Sequence, residues 1–556
     1  MVIDQQQATP GRPFFLYVAP GAGHAPHHVP QEWADAYRGR FDQGWERWRA
    51  EAFERQQAAG VVPDDATLAA RPPWVQDWDA LSDDERRVFA RMQEVFAGFM
   101  SHTDHHLGRL FDGIAALGQL DNTIVMLCSD NGASAEGGTI GSVNEHRFAH
   151  GHGDDFADNL AGLDDLGGFR SYNHYPWGWA WAGNTPFRLW KRYTWLGGTR
   201  TPLIVRWPQG ITDPGGVRSQ FCHLVDLFPT ILDVCGVTAP SVVDGVEQQR
   251  IDGASLRETF SKPDAPEIRT TQYFEMLGSR SIYHDGWKAT TDHVSQGVPD
   301  ESLLDGSRDL EADRWSLFRL TDDFTEAHDL ADAHPDVVQE LEQRWWHEAE
   351  ANHVLPIDDG LRSRMAAIER PPWPTPQRMV YRPGGGPIAD EAVPSLVGGA
   401  LLLADVDVPD GPADGVLAAL GDWTSGWALV VLSGRPCFLV NLSGHGFRVA
   451  ADRELAAGRH TVGFRFLPDG TGGGTGVIVV DDEPWAAESL PRGIAGAGMQ
   501  IGGGGLRLGH DAGFPVSDDY ETPFPWTGVL HTLTFDATAS SPEQFRAHVE
   551  QLLRTE

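Results

Sequence analysis

Residues 82–132 constrain the fold of this chain more than any other stretch. Ser82 with Glu85 three residues on forms a capping box, in which each side chain satisfies a free backbone N–H at a helix start. Apolar residues then recur at Phe89, Met92, Phe96, Phe99, Leu107, Leu110, Ile114 and Leu117, the spacing of one helix face. This predicts a helix over 82–117, stopped at Gly118. An apolar run over 124–127 reads as a buried strand, with Cys128 as a small core residue. The strand ends at Ser129-Asp130-Asn131-Gly132, a turn-forming cluster. A helix feeding a short buried strand is the α/β pattern. In open α/β sheets ligands gather beyond the carboxyl ends of strands. Asp130 and Asn131 sit there side by side and offer oxygen, the donor that hard cations prefer. Taken alone, the pair is more often an Asx turn that closes a loop.

The rest of the chain divides by pattern. Residues 12–20 read as a buried strand, leading into a loop with His24, His27 and His28. Residues 31–80 are charged and Trp-rich, as helical pieces and loops. Residues 133–185, rich in Gly, Asp, His and Trp, form a long loop of the kind that tends to be functional. Residues 202–207 read as a strand and 225–235 as a helix before Gly236. Short strands at 272–276, 281–283, 287–290 and 316–320 suggest a small antiparallel sheet, closed by a helix over 335–351. Pro and Gly crowd 355–395, as in a linker or strap. Beyond 398, short alternating strands between Gly- and Asp-rich turns suggest a β-sandwich, with a final helix capped at Ser541-Pro542. The expected domains are therefore 1–265 (α/β), 266–352 (small antiparallel subdomain), 353–395 (linker or strap) and 396–556 (β-sandwich with terminal helix).

Of 556 residues, 79 are acidic and 43 basic, for a net charge of −36. That field opposes nucleic acid and anionic membrane as partners, and an anionic substrate needs a local basic pocket. No apolar run approaches the ~20 residues of a membrane span, and no apolar signal core opens the chain. The four cysteines are scattered without a Cys-x-x-Cys pair. A reducing, cytoplasmic setting is the weak expectation.

Ordered segments carry a resemblance. They are residues 13–18 leading to His24-Ala25-Pro26-His27; residues 121–125 leading to Ser129-Asp130-Asn131-Gly132; and Arg188-Leu189-Trp190-Lys191, then residues 197–208. Residues 315–331 add a weaker match. In order and spacing over about residues 12–345, the chain resembles the sulfatase family of the alkaline-phosphatase-like superfamily, bacterial arylsulfatases above all. The resemblance implies a mixed sheet flanked by helices. It implies that Asp130 and Asn131 are ligands of a divalent cation, usually Ca²⁺. It implies that Lys191 grips the sulfate and ester oxygen, and that His24 protonates the leaving group. The implied substrate is a small sulfate monoester. The chemistry suits these residue types: charge developing on the leaving oxygen is stabilised by fixed positive groups, and histidine donates protons near neutrality. Arg200 is expected to fix the loop behind Lys191, by a buried ion pair.

The family's nucleophile is a formylglycine made within a Cys-x-Pro-Ser-Arg motif. Here Cys128, Cys222, Cys235 and Cys437 are followed by other residues. The family's opening strand with paired aspartates is also missing, so the chain reads as a sulfatase lacking its N-terminal segment and inactive by itself. The rival readings are a phosphonate or phosphate monoester hydrolase on the same scaffold, and a degenerate non-catalytic binding protein. Other groups point less clearly. Asp104-His105-His106 reads as helix surface with a buried Asp or His. His146, His150 and His152 beside Asp154 and Asp155 have loose metal-ligand spacing. His27 and His28 read as pocket wall.

Overall fold

The computed structural model describes residues 2–150, 153–293, 309–360, 378–389, 392–394, 396, 399–494 and 504–537. The chain forms two compact units, each assembled from three chain segments. The first holds Met1–His24, Ala36–Thr139 and Tyr175–Leu361; the second holds Ala25–Asp35, Ile140–His174 and Arg362–Glu556.

In the first unit the long helix is Asp83–Ala116, with both halves of the Ser82–Glu85 capping box formed. Its first half is the better buried: Val88, Phe89, Met92 and Val95 are at most 1% exposed. Each such side chain contributes roughly 1.5–3 kcal/mol by leaving water. The Trp-rich segment before it supplies the cover. Trp45, on the helix Gly44–Ala58, meets Trp78 edge-on at 4.8 Å and Trp179 at 5.8 Å, with Phe89 stacked at 6.2 Å. Gly44 has φ +82°, and a Cβ there would lie 2.2 Å from the Trp78 ring. The aromatic cluster therefore requires glycine at its edge.

Strand β1 (Val125–Cys128) pairs antiparallel with β2 (Leu203–Arg206), Val125 opposite Arg206 and Cys128 opposite Leu203. Among the described residues this pair is a sheet of its own. β1 is half-buried at Val125 and Met126 and exposed at Leu127 and Cys128, so it is not the fully buried strand expected, and Cys128 is not a core residue. A two-stranded ribbon has too little cover to bury both faces of its strands. The expected strand over 12–20 is also absent. Residues 13–20 run as irregular chain, with Phe15 76% and Tyr17 82% exposed. Apolar composition marks a segment that needs cover; a strand further needs a ladder partner, and none of the described residues supplies one.

The small sheet forms as patterned. Strands Thr271–Met276, Ser279–His284, Trp287–Thr290 and Ser316–Arg319 pair antiparallel in chain order. The helix Pro335–Ala351 closes it, burying Leu341, Trp345 and Ala349 against Ile282, Ala289 and Leu317.

The second unit is a β-sandwich of one six-stranded and one five-stranded sheet. Alternate residues of the strand Ala400–Val408 point inward, and Phe438 of one sheet stacks on Phe464 of the other at 3.5 Å. Two earlier segments belong to this unit. Val29 N–H bonds Gly167 O at 3.0 Å, Phe169 stacks on Phe514, and Arg170 pairs with both oxygens of Asp518. Of the linker expected over 353–395, residues 361–377 lie outside the described residues, and Arg378–Tyr381 form an edge strand of the six-stranded sheet instead of a linker; the terminal helix expected from Ser541 lies outside the described residues. No helix among the described residues is long and apolar enough to cross a membrane.

Candidate functional site

The site is built where β1 ends. Asp130 is exposed and Asn131 half-buried. The Asn131 N–H donates to Asp130 Oδ1 at 3.1 Å, and Asn131 Nδ2 donates to Gly132 O at 2.9 Å. The Asp130 carboxylate thus accepts from the next residue's N–H and not from the one two residues on, so this bond is not the Asx turn expected from the composition. With Nδ2 committed, Asn131 Oδ1 is the end available to a cation. Ser129 Oγ donates to Asn131 O, and Thr201 Oγ1 donates to Ser129 O at 2.8 Å, tying the turn to the chain entering β2.

Lys191 is brought to this turn by backbone contacts. Its N–H donates to Ala133 O at 3.0 Å, while Gly132 N–H donates to Gly198 O at 3.1 Å. Asn184 braces the same place: its Oδ1 accepts from Ala133 N–H, and its Nδ2 donates to Leu189 O. The approach is too close for side chains. A Cβ on Gly132 would sit 1.8 Å from Gly197 O, and one on Gly197 would sit 2.0 Å from Arg188 O. The glycines of the Gly197-Gly198 segment and of the Asp-Asn-Gly turn therefore have a steric reason: the two loops touch backbone to backbone.

Two buried cations, Arg49 and Lys288, and the half-buried Arg200 surround the Lys191 loop. Arg49 on the helix Gly44–Ala58 donates to Trp181 O, Pro186 O and Phe187 O at 2.6–2.9 Å. Burial pushes its guanidinium down to about 9. Lys288 donates to Thr194 O at 2.9 Å and forms a short ion pair with Glu326. Burial works against the Lys288 charge and lowers its pKa, opposed by Glu326. The other Glu326 oxygen accepts from Leu196 N–H at 2.8 Å. Arg200 lies over rings and not in the ion pair expected of it: its guanidinium is 4.0 Å from the Phe324 ring centre and 5.4 Å from that of Phe187. Burial pushes it down to about 10.

The Lys191 ammonium is paired. Its Nζ lies 2.8 Å from Glu136 Oε1, with both side chains about one-quarter exposed. Glu136, six residues past Asp130, carries no periodic or motif signal that sequence reasoning could have used. Arg49 and Glu326 were likewise silent, since a buried charge looks like any surface charge until its partners are known.

Ca²⁺ takes six to eight oxygens. Asp130 and Asn131 offer two adjacent donors, and the described residues hold no group of three or more His, Cys, Asp or Glu gathered for a metal. Two oxygens are fewer than a Ca²⁺ shell requires. His24 is exposed on the loop that closes with its N–H on Gly21 O; its place in the site rests on the resemblance. His27 and His28 fall in the second unit, His27 against His174 and His28 bonded to Ser171 O at 2.6 Å. His146 lies edge-on to Tyr172, Asp154 accepts from Ser142, and Asp155 caps a short helix. His152 and the His150 side chain lie outside the described residues. Asp104, His105 and His106 are all exposed, so none is the buried residue expected on that face.

Residues 1–237 match the profile of the sulfatase family, and residues 187–351 match that of the C-terminal region of N-sulphoglucosamine sulphohydrolase. An uncharacterized sulfatase of Schizosaccharomyces pombe is 30% identical over 357 residues, covering 62% of this chain and 59% of that protein. An arylsulfatase of Klebsiella aerogenes is 27% identical over 236 residues, covering 42% and 48%. The chain thus spans about half to three-fifths of the length of these relatives. Among solved structures, a phosphonate monoester hydrolase from Silicibacter pomeroyi aligns at 16% identity and a TM-score of 0.31, over 63% of this chain and 59% of that one.

Proposed function

The chain belongs to the sulfatase family over residues 1–351, and we propose that it carries the leaving-group side of an arylsulfatase-type site acting on small sulfate monoesters. One observation supports this above the others: the Asp130-Asn131 turn and Lys191 are locked together by backbone bonds through Ala133 and Gly198. In this reading Lys191 binds the sulfate and stabilises charge on the departing ester oxygen. A charged donor held in place acts most strongly where that charge develops. His24 donates the proton that the leaving oxygen needs. Glu136 holds Lys191 when no anion is bound, and a sulfate takes its place. Asp130 and Asn131 provide two of the oxygens of a Ca²⁺ site, and a bound cation would supply further positive charge beside the sulfate. None of the four cysteines stands in a Cys-x-Pro-Ser-Arg motif, so in this reading the 556 residues bind a sulfate ester without turning it over.

The test has two arms on the purified chain. Calorimetric titration with nitrophenyl sulfate should show binding that Lys191→Ala weakens by roughly 10-fold or more, as for loss of a charged hydrogen bond. Release of nitrophenol should stay at the buffer rate. Binding untouched by Lys191→Ala would sink the site assignment, and sustained turnover would sink the claim that no nucleophile is present. Titration with nitrophenyl phosphate and a phosphonate ester checks the rival substrates, and tighter binding of either would replace the sulfate reading.

A further inference from the structure

The long helix carries a feature that the sulfatase reading leaves unused. His102 and His106 are four residues apart in its second half, on one face. Their rings lie 4.4 Å apart at 70°, and the two Nε2 atoms approach to 3.0 Å. Both belong to the first unit, and His106 is exposed. Two imidazoles spaced i, i+4 on a helix are the arrangement that chelates transition metals.

We infer that His102 and His106 form a two-nitrogen surface site for a divalent late first-row metal, Cu²⁺ by preference. The 3.0 Å separation is that of a hydrogen bond between the two rings, close to the spacing of about 2.9–3.3 Å that two nitrogens on one ion require. Copper stands highest in the general affinity order of divalent first-row metals. Water fills the remaining positions.

The metal-free contacts define what binding must change. Arg109 Nη1 lies 2.9 Å from His106 Nδ1 and, having only N–H groups, donates to it. His106 then carries its proton on Nε2 and donates it to His102 Nε2. A metal needs both Nε2 lone pairs, so that proton leaves Nε2 and Nδ1 takes one up from solvent. The net proton count is unchanged, and Arg109 swings away. Arg109 is exposed, so its displacement into water costs little.

The test uses the full chain after chelator treatment, titrated with CuSO₄ and followed by electron paramagnetic resonance and calorimetry. The expected spectrum is tetragonal Cu²⁺ with hyperfine structure from two nitrogens. One equivalent should be lost in His102→Ala and in His106→Ala, with helix content by circular dichroism unchanged. Arg109→Ala should bind Cu²⁺ several-fold more tightly, and Zn²⁺ should bind the parent chain at least 10-fold more weakly than Cu²⁺. The chain has 22 histidines, so the decisive comparison is with the double variant His102→Ala/His106→Ala. Equal copper stoichiometry and spectrum in that variant would overturn the site, and equal Zn²⁺ and Cu²⁺ affinity would overturn the preference for copper.

Discussion

Lys191 and Glu136 form a partly exposed ion pair, of a class worth up to about 1 kcal/mol. Replacing Glu136 by Gln removes the internal competitor, so affinity for a sulfate ester should rise about two- to fivefold in the same calorimetric titration. Unchanged or weaker binding would mean that Glu136 positions Lys191 instead of competing for it. Gly197 poses a steric test. An alanine there meets Arg188 O and Leu189 O at 2.0–2.4 Å, and backbone cannot yield as a side-chain tip can. Gly197→Ala should cost about 1–3 kcal/mol by denaturant titration and should also weaken sulfate binding, because the displaced strand of chain is the one that presents Lys191. Residues of this kind were readable in part. Asp130, Asn131 and Lys191 stand in ordered motifs, but Glu136 and Arg49 do not. Their roles arise from three-dimensional neighbours 55 and 132–138 positions away in the chain in the cases of Lys191 and Arg49.

Elements with strong local signals formed as their patterns require. The long helix has its capping box and stripe, and the four short strands and closing helix need only near neighbours in sequence. Ser82→Ala should cost about 1 kcal/mol, measured as a shift of the chemical unfolding midpoint of the first unit. Residues 12–20 show the limit of such signals. Alternation and apolar content say that a segment favours cover, whereas strand formation depends on a ladder partner that the segment itself does not encode. The same limit explains β1, whose Leu127 and Cys128 remain exposed. The small sheet adds a pH dependence. His293 is buried with Nδ1 on Asp313 and Nε2 on Asp359, and Asp313 also pairs with Arg280. Burial opposes the imidazolium, but the two carboxylates outweigh it and raise the pKa. A group whose folded pKa is raised contributes its full stability below the unfolded value of about 6.5 and loses it as pH climbs through the folded value. Stability of the first unit should therefore fall as pH rises above about 6.5, and His293→Gln should flatten that slope. A parent chain whose unfolding midpoint rises over the same interval would contradict the sign.

At the scale of the whole molecule, the expected boundary at 396 falls within the segment Arg362–Glu556 of the second unit, and the membership of the units was not legible in the sequence. Residues 25–35 and 140–174 are counted with the sandwich, and nothing in their composition announces it. The contacts that place them there, such as Arg170 on Asp518, span more than three hundred residues. His24 and His27 sit three positions apart and are counted with different units. The polypeptide passes from one unit to the other five times, at 24/25, 35/36, 139/140, 174/175 and 361/362. A cassette such as a carbohydrate-binding module can be cut away and transplanted because its chain enters and leaves once. This sandwich cannot. Residues 362–556 expressed alone should melt well below the parent chain, with Phe514 and Asp518 bared where Phe169 and Arg170 had been. A single proteolytic nick between the units should leave the fragments associated on a sizing column. Moving the second unit by domain shuffling would also interrupt the first, because the chain segments of the two alternate.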